Sequence, residues 1–279
     1  MRAALLQLNS GDDPAANLAV TRALIHEAAD QGAGFVLTPE VTNCVSASRT
    51  HQNAVLTTEE HEPTLAALRA LAAERRIWLL IGSLAIKTRD ADGRFANRSY
   101  LITPEGAIAA RYDKIHMFDV SISSEESYRE SAGYRPGTRA VLARTPFGGI
   151  GMTICYDMRF PHLYRQLAQA GAEILTMPSA FSPVTGAAHW HALLRARAIE
   201  TGCYVLAPAQ AGNHAASRGK SRQTYGHSLA VSPWGEVLAD AGTAQGGVIY
   251  VDLDRAEVAQ ARQRIGSLTH DPDYGGPTA

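Results

Sequence analysis

Cysteine is scarce in this sequence, and long hydrophobic runs are absent. The 279 residues include three cysteines, Cys44, Cys155 and Cys203, and an odd, sparse set does not make a disulfide framework. No run reaches about 18 consecutive apolar residues, the length that a membrane-spanning helix needs. The opening segment 1–9 has too short an apolar run for a signal peptide. We therefore expect a cytoplasmic protein that crosses no membrane.

The sequence also lacks an excess of charge of either sign. It has 26 lysine and arginine residues against 27 aspartate and glutamate residues, a formal net charge of −1. A nearly neutral chain has no bulk electrostatic attraction to nucleic acid or to an acidic membrane surface. With 46% hydrophobic and 19% charged residues, the composition is typical of a folded globular protein. We expect neither nucleic acid nor a membrane as a partner.

Predicted strands and helices alternate along the chain, which indicates an α/β architecture. Segments 35–38 and 149–154 are predicted strands, and the apolar spacing over 188–200 predicts a helix. Some consecutive strands have no helix between them, so we expect mixed sheets. No linker or composition shift marks a boundary, and we predict one domain over 1–265 followed by a tail, 266–279.

Two loops stand out in this pattern. The loop 119–137 is long and polar and could serve as a lid over a functional site. The loop 212–222 is rich in glycine, serine and charged residues, and we expect it to be exposed.

Cys155 lies where a predicted strand runs into a polar turn. The apolar segment 149–154 leads directly to it, and Tyr156, Asp157 and Pro161 follow. A nucleophile at a strand-to-helix turn lies at the edge of the sheet, near backbone N–H groups that stabilise an oxyanion. The alternative is a core thiol, because free cysteine is among the most buried residue types.

Two charged residues occupy similar positions after other predicted strands. Glu40 follows the strand 35–38, and Lys114 follows the predicted hairpin strand 107–112. Taken singly, each is typical of a solvated surface residue. Together with Cys155 they form a coherent set, because a carboxylate can take the proton of a thiol of ordinary pKa about 8.5, and an ammonium can stabilise the developing oxyanion. This combination predicts amide hydrolysis without a metal ion.

The segments around these three residues resemble the Glu–Lys–Cys motifs of the nitrilase, or carbon–nitrogen hydrolase, superfamily. The resemblance extends over residues 1–265. The motifs that carry it are Pro39-Glu40, Tyr112-Asp113-Lys114-Ile115-His116 and Cys155-Tyr156-Asp157-Met158-Arg159-Phe160-Pro161. It implies a four-layer αββα sandwich and no cofactor. It also implies that Glu40 is the general base, Cys155 the nucleophile and Lys114 the oxyanion partner, with the backbone N–H of Tyr156 as a second oxyanion donor.

The resemblance also implies roles for a second glutamate and for the segments at which subunits pair. Many members carry a second glutamate in the lid, and Glu130 matches that position; the alternative is an ordinary loop carboxylate. Members also pair into an αββααββα stack, which implies a homodimer or a larger homo-oligomer, here through 188–200 and the tail segment 267–274. The tail departs from the family's usual closing pattern, which leaves its role open.

The second half is most similar to the branch that includes the deaminated glutathione amidases. The segments that carry this similarity are Pro178-Ser179-Ala180-Phe181, Val184-Thr185-Gly186, Ala188-His189-Trp190, Leu193-Leu194-Arg195-Ala196-Arg197-Ala198-Ile199-Glu200 and Tyr225-Gly226-His227-Ser228. The branch implies cleavage of a dicarboxylic acid monoamide through a cysteine thioester, with deaminated glutathione as the substrate and ω-amidase activity on α-ketoglutaramate as the alternative. We predict Arg159 as a carboxylate clamp, a structural salt bridge being its alternative. Phe181 and Thr185 are predicted to line the pocket.

Two other classes of function compete with amide hydrolysis by this set of residues. A papain-like protease needs a Cys–His pair, and the local papain-type sequence around the nucleophile is absent. A non-catalytic binding protein on the same scaffold predicts loss of Glu40, Lys114 or Cys155, yet all three are present. We predict no metal site, because His189 and His191 lie two residues apart on a predicted helix and do not face each other.

Overall fold

A computed structural model describes residues 1–122, 127–273 and 275–276 of the chain. The α-helices of this part are α1 (Pro14–Asp30), α2 (Arg49–Val55), α3 (Pro63–Arg75), α4 (Pro161–Gln169), α5 (Pro183–Thr201) and α6 (Arg255–Arg264). The β-strands are β1 (Arg2–Gln7), β2 (Phe35–Leu37), β3 (Trp78–Lys87), β4 (Phe95–Ile102), β5 (Ile108–Asp113), β6 (Asp119–Ser121), β7 (Ser127–Arg129), β8 (Val141–Thr145), β9 (Gly148–Met152), β10 (Ile174–Thr176), β11 (Tyr204–Ala207), β12 (Ala211–His214), β13 (Arg222–Tyr225), β14 (Leu229–Val231), β15 (Val237–Asp240) and β16 (Gly247–Asp252). Short 3-10 helices cover Glu59–His61, Glu130–Ala132 and Cys155–Arg159.

Two six-stranded sheets form the interior. Their strand orders are β16–β1–β2–β3–β4–β5 and β15–β14–β11–β10–β9–β8. In the first sheet β1, β2 and β3 are parallel, and in the second β9, β10 and β11 are parallel. The flanking strands of both sheets pair antiparallel. Both sheets are therefore mixed, as the helix-free connections in the sequence predict.

The alternation of side chains along β1 shows how the layers are built. Ala3 and Leu5 point into a core between the two sheets, whereas Ala4 and Leu6 point outward beneath α1 and α3. On the other side, α4 and α5 pack on the second sheet through side chains that include Trp190. The layer order is α, β, β, α, which is the predicted sandwich, and it leaves one end of the paired sheets for loops.

The structure corrects two of the predicted boundaries. The helix predicted over 188–200 begins earlier, at Pro183, where the fixed backbone angle of proline suits the first turn. The prediction of an exposed loop over 212–222 is wrong at both ends, because β12 and β13 form a hairpin in which His214 pairs with Arg222. His214 is 2% exposed. Its burial depends on distant contacts that a local reading of polar residues does not reveal.

The long polar loop 119–137 contains the β6–β7 hairpin and the 3-10 helix Glu130–Ala132. Residues 123–126 of this loop lie outside the described part of the chain. None of the helices in the described ranges has the length and apolar character that crossing a bilayer requires.

Candidate active site

The predicted catalytic side chains meet at one end of the paired sheets. Glu40 lies three residues after β2, Cys155 three residues after β9, and Lys114 directly follows β5. All three are buried, with exposed fractions of 3% for Glu40, 6% for Cys155 and 2% for Lys114. Three ionisable groups of distant sequence origin therefore share one water-poor pocket.

The ammonium of Lys114 is hydrogen-bonded to both carboxylates of this pocket. Its Nζ donates to Oε1 of Glu40 at 2.9 Å and to Oε1 and Oε2 of Glu130 at 2.9 and 2.8 Å. Glu130 also accepts a hydrogen bond from the backbone N–H of Phe118 at 2.7 Å. Glu130 is therefore fixed in the site, and the alternative of a solvated loop carboxylate does not describe its surroundings.

The charges of the pocket set the protonation states. Burial favours a neutral Glu40 carboxyl, but the charge of Lys114, and after it that of Arg222, outweighs burial and lowers the pKa of Glu40. Burial likewise opposes the charged form of Lys114, yet Glu130 and Glu40 outweigh it and raise the pKa of the ammonium. Burial and the charge of Glu40 raise the pKa of the Cys155 thiol. At neutral pH the free site holds carboxylate, ammonium and thiol.

Two further groups orient the Glu40 carboxylate. The backbone N–H of Ala180 donates to its Oε2 at 2.8 Å, and Nδ2 of Asn97 donates to its Oε1 at 2.8 Å. Asn97 is 2% exposed, and its Oδ1 is buried without a hydrogen-bond partner among the described residues. Asn97 could not be predicted from the sequence as a site residue, because it lies inside strand β4 and belongs to no motif.

Two non-glycine residues of the site have a left-handed backbone conformation. Cys155 has a φ of 50° and Val41, next to Glu40, has a φ of 48°. Non-glycine residues rarely adopt this region, and where they do the surrounding structure must hold them there. The Cys155 N–H donates to the carbonyl of Pro178 at 3.0 Å, which fixes the turn at the start of the 3-10 helix. The predicted strand-to-turn placement of Cys155 is thus the observed one.

Asp157 joins the lysine motif to the cysteine motif. Its carboxylate accepts hydrogen bonds from the Tyr112 hydroxyl at 2.6 Å, the His116 N–H at 3.0 Å and the Ile154 N–H at 2.9 Å. The side chain of Asp157 is fully buried. These bonds hold the backbone on both sides of Lys114 against the Cys155 turn, which accounts for the tyrosine, histidine and aspartate of the two motifs.

A cavity of about 510 Å³ opens above these groups. Tyr156, Phe181 and Thr185, all predicted to lie at the site, are among its lining residues. The hydroxyl oxygen of Thr185 is buried and has no hydrogen-bond partner among the described residues. A buried hydroxyl that faces a cavity without a partner is available to a ligand.

Arg159 is not among the residues that line this cavity in the described part of the chain. Its guanidinium lies 3.3 Å from Nδ1 of His189 and over the rings of Tyr156 and Phe181, 5.8 and 5.5 Å from their centroids. The structure therefore places Arg159 behind two cavity-lining rings, and its contact to a carboxylate stays a prediction.

Three other arginines line the cavity in the described part of the chain, and no sequence motif marks them as site residues. They are Arg49, Arg129 and Arg222. With Lys114 they make four cationic side chains against two carboxylates, Glu40 and Glu130, so the described lining residues carry two excess positive charges. Such a cavity attracts an anionic ligand.

The remaining cysteines and histidines lie in other surroundings. All three thiols are buried, but Sγ of Cys44 donates to the Asp12 carbonyl and Sγ of Cys203 to the Ala172 carbonyl, whereas Cys155 lies beside the Glu40 carboxylate. His191 does not pair with His189 but lies with His227 and Asp240, their ligand atoms within 4.8 Å of one another. Among the residues that the structure describes, these three do not line the catalytic cavity.

Comparisons with known proteins agree with this geometry. The family model described as carbon–nitrogen hydrolase matches residues 2–263. The deaminated glutathione amidase of Yersinia enterocolitica is 38% identical over 96% of this chain and 92% of its own length, and that of Mus musculus is 39% identical over 98% and 84%. The crystal structure of the C. elegans NitFhit protein superposes with a TM-score of 0.88 at 34% identity, covering 97% of this chain and 64% of that one. Saccharomyces cerevisiae Nit3, a member of branch 10 of the nitrilase superfamily, gives a TM-score of 0.81 at 31% identity over 95% and 94%.

The chain belongs to the carbon–nitrogen hydrolase family. This confirms the resemblance seen in the sequence motifs and the αββα fold that it implies. Hydrolysis of a carbon–nitrogen bond is the class of reaction that the family defines.

Proposed function

We propose that this protein is an amidase whose substrate is deaminated glutathione, cleaved to α-ketoglutarate and cysteinylglycine. The observation that carries the proposal is the cavity, in which buried Cys155, the Lys114–Glu40 pair and an excess of positive charge lie together. Similarity to two deaminated glutathione amidases, at 38% and 39% identity, supports the same substrate.

The proposed cycle begins with Cys155. Glu40 accepts the thiol proton as Sγ attacks the amide carbon, and the Lys114 ammonium and the Tyr156 backbone N–H stabilise the tetrahedral oxyanion. Protonated Glu40 then gives this proton to the departing nitrogen, the C–N bond breaks, and a thioester remains. In the second half Glu40 takes a proton from water, whose oxygen attacks the thioester. The thiolate leaves and recovers its proton from Glu40, which closes the cycle.

The low pKa of Glu40 and the high pKa of Cys155 fit this order of events. The thiol keeps its proton in the free enzyme, so the site carries no exposed thiolate before substrate arrives. When the amide carbonyl takes up negative charge next to Lys114, proton transfer to Glu40 accompanies attack.

The charge of the cavity favours deaminated glutathione over the ω-amidase substrate. Deaminated glutathione carries a carboxylate at each end, whereas α-ketoglutaramate carries one. A dianion balances the two excess positive charges of the described lining residues, and a monoanion leaves one of them uncompensated. Turnover of α-ketoglutaramate remains the rival activity within this family.

The two competing classes lack this support. A papain-like mechanism needs a histidine beside the nucleophile, and no histidine is among the described residues that line the cavity. A non-catalytic binding protein does not require a nucleophile, a base and a cation in one pocket. Here the base and the cation, Glu40 and Lys114, are hydrogen-bonded at 2.9 Å beside Cys155.

The test compares the two amides directly. We expect the purified protein to release cysteinylglycine from deaminated glutathione with a kcat/KM at least about tenfold above that for α-ketoglutaramate, a difference of about 1.4 kcal/mol in transition-state stabilisation. A tenfold preference for α-ketoglutaramate would establish the ω-amidase alternative. Failure to cleave either amide would refute the proposal.

A second experiment tests the nucleophile. Cys155→Ala is expected to retain less than about a thousandth of the wild-type rate, with an unchanged circular dichroism spectrum. Cys44→Ala is the matched control, because Cys44 lines the same cavity but its Sγ donates to the Asp12 carbonyl, outside the Lys114–Glu40 group. Equal loss in both variants would contradict the assignment of Cys155.

A further inference from the structure

Arg222 is a cavity arginine that forms no ion pair with any carboxylate among the described residues. Its Nη2 donates to the carbonyl of Ala180 at 2.6 Å, and no carboxylate of the described residues lies within ion-pair distance of its guanidinium. A guanidinium has five N–H donors. With one donor bound to Ala180, four have no partner among the described residues, on a half-buried side chain in the cavity wall.

The strand that carries Arg222 is held firmly. Its hairpin partner His214 is buried and lies 2.7 Å from the Ser10 carbonyl and 2.7 Å from the Thr224 hydroxyl. Burial, and after it the charge of Arg222, lowers the pKa of His214 to about 4, so this imidazole is neutral at pH 7 and both contacts are satisfied. The backbone from which Arg222 extends is therefore held in place, and the hydrogen bond from its Nη2 to the Ala180 carbonyl anchors the guanidinium.

The other cations that line the cavity either have several hydrogen-bond partners or are exposed. Lys114 is bound to Glu40 and Glu130. Arg49 donates to the carbonyls of Gly133 and Gly93 and stacks on a phenylalanine ring. Arg129 is an exposed residue at the end of the β6–β7 hairpin. Arg222 alone among the described lining cations is both partly buried and nearly free of partners.

Ala180 connects Arg222 to the reacting groups. The Ala180 carbonyl accepts from Arg222, and its N–H donates to Glu40. The acyl part of the substrate stays bonded to Cys155 after the amine has left, so a carboxylate on the acyl part needs a cation inside the cavity rather than at its mouth.

We propose that Arg222 is the specificity-determining residue that binds the carboxylate of the acyl part of the substrate. This inference rests on the proposed amidase function and adds a residue to it. It assigns the acyl carboxylate to the β12–β13 hairpin rather than to Arg159, and it leaves the carboxylate of the departing amine to the outer part of the cavity.

The test uses two amides that differ only at the far end of the acyl chain. N-glutaryl-cysteinylglycine carries the carboxylate, and N-pentanoyl-cysteinylglycine has a methyl group in its place. In the wild type we expect the ratio of their kcat/KM values to favour the glutaryl compound. In Arg222→Gln that ratio is expected to fall at least thirtyfold, while Arg139→Gln, an exposed arginine outside the cavity lining, keeps the wild-type ratio.

Each outcome decides the proposal. An equal loss on both amides would show that Arg222 only holds Ala180 and Glu40 in place, and an unchanged ratio would show that it does not contact the carboxylate; either result overturns the inference. If Arg222→Gln does not fold, Arg222→Lys keeps the charge but not the fork of donors, and it must lower the same ratio.

A binding measurement separates this proposal from the proposed function. Calorimetric titration of Cys155→Ala with glutarate requires no turnover. Binding that is lost in the Cys155→Ala, Arg222→Gln double variant supports the carboxylate site even if neither amide is hydrolysed. Equal binding by both variants overturns it.

Discussion

Nζ of Lys114 lies 2.9 Å from Oε1 of Glu40, and both side chains are almost completely buried. Removing two such charges from water costs several kcal/mol for each ion, and their attraction compensates only when further hydrogen bonds satisfy them. Glu130 supplies those bonds to Lys114, and Asn97 and Ala180 supply them to Glu40. This pair is better explained by catalysis than by stability, since apolar side chains of similar size would fill the space at less cost.

Glu130→Gln tests the role of the second glutamate. The change removes a charge that raises the pKa of Lys114 and a carboxylate that fixes its Nζ. Because a misplaced oxyanion donor typically costs about a hundredfold in rate, we expect kcat/KM to fall by about that factor, measured by release of cysteinylglycine. Glu105→Gln, an exposed loop substitution, is the control. Wild-type activity in Glu130→Gln would show that Glu130 is an ordinary loop carboxylate with no part in catalysis.

The pH profile follows from the direction of the Glu40 shift. A pKa lowered from the ordinary 4.5 means that the folded protein keeps the carboxylate ionised to lower pH than an unfolded chain does. The base, and the stability that its ionisation contributes, are therefore fully present above pH 4.5 and are lost as the pH falls through the lowered value.

We expect kcat/KM to stay flat between pH 7 and 5 and to decline only below the ordinary glutamate pKa of 4.5. Tryptophan fluorescence at each pH checks that the protein stays folded. In Arg222→Gln the acid limb moves to higher pH, because the charge of Arg222 helps to lower the pKa of Glu40. An acid limb centred above pH 6 in the wild-type protein would contradict the ionised base.

The positions of Glu40, Lys114 and Cys155 could be predicted because each follows a strand and carries a recognisable local motif. Asn97, Asp157 and Arg222 could not be given roles in this way. The contact of Asn97 with Glu40 spans 57 residues, and that of Arg222 with Ala180 spans 42 residues. Both depend on how separate strands and hairpins pack together, and local spacing carries no information about such packing.

Chelation tests the absence of a metal from the mechanism. The proposed chemistry needs a carboxylate, an ammonium and a thiol, none of which requires a Lewis acid. The His191, His227 and Asp240 group is the one with metal-ligand spacing among the described residues, and it does not line the cavity. We expect full activity after prolonged dialysis against EDTA. Loss of activity that zinc restores, and that His191→Ala reproduces, would overturn this mechanism.

The state of assembly can be tested at one surface. Ile199, Trp234 and Ile265 are 53%, 47% and 57% exposed and lie around one groove, which also includes Leu268 of the tail. The predicted interface segments 188–200 and 267–274 both contribute to it, although Tyr274 lies outside the described residues. Exposed apolar side chains grouped in this way are typical of an interaction surface.

Light scattering is expected to give twice the chain mass of 29.8 kDa at micromolar concentration. Ile199→Asp places a charge in the groove and is expected to shift the mass toward that of one chain. Val20→Asp, at an apolar residue that is 56% exposed on α1, is the matched control and should leave the mass unchanged. A wild-type protein that remains a monomer would rule out the homodimer.

Gly82 packs closely against the turn that carries Glu40. A Cβ at this position would lie 1.9 Å from the Thr38 carbonyl oxygen, 2.5 Å from the Pro39 carbonyl oxygen and 2.5 Å from Cβ of Pro178. The Gly82 N–H also donates to the Thr38 hydroxyl at 3.0 Å. The segments that lead to Glu40 and to Ala180 therefore both pack directly against the backbone of Gly82, where a side chain would not fit.

Gly82→Ala is expected to damage both stability and catalysis. Two of the three clashes are with backbone carbonyls that cannot rotate away, so the turn that carries Glu40 must shift. Overpacking of a buried site typically costs about 1–3 kcal/mol, which we expect as a lowered midpoint in urea unfolding. Since a displacement of about 1 Å at a reacting group can cost about a hundredfold in rate, kcat/KM should fall further than the loss of folded protein accounts for. Gly246→Ala is the control, because nothing lies within 4 Å of a Cβ built there. Wild-type stability and activity in Gly82→Ala would mean that the turn has room to move.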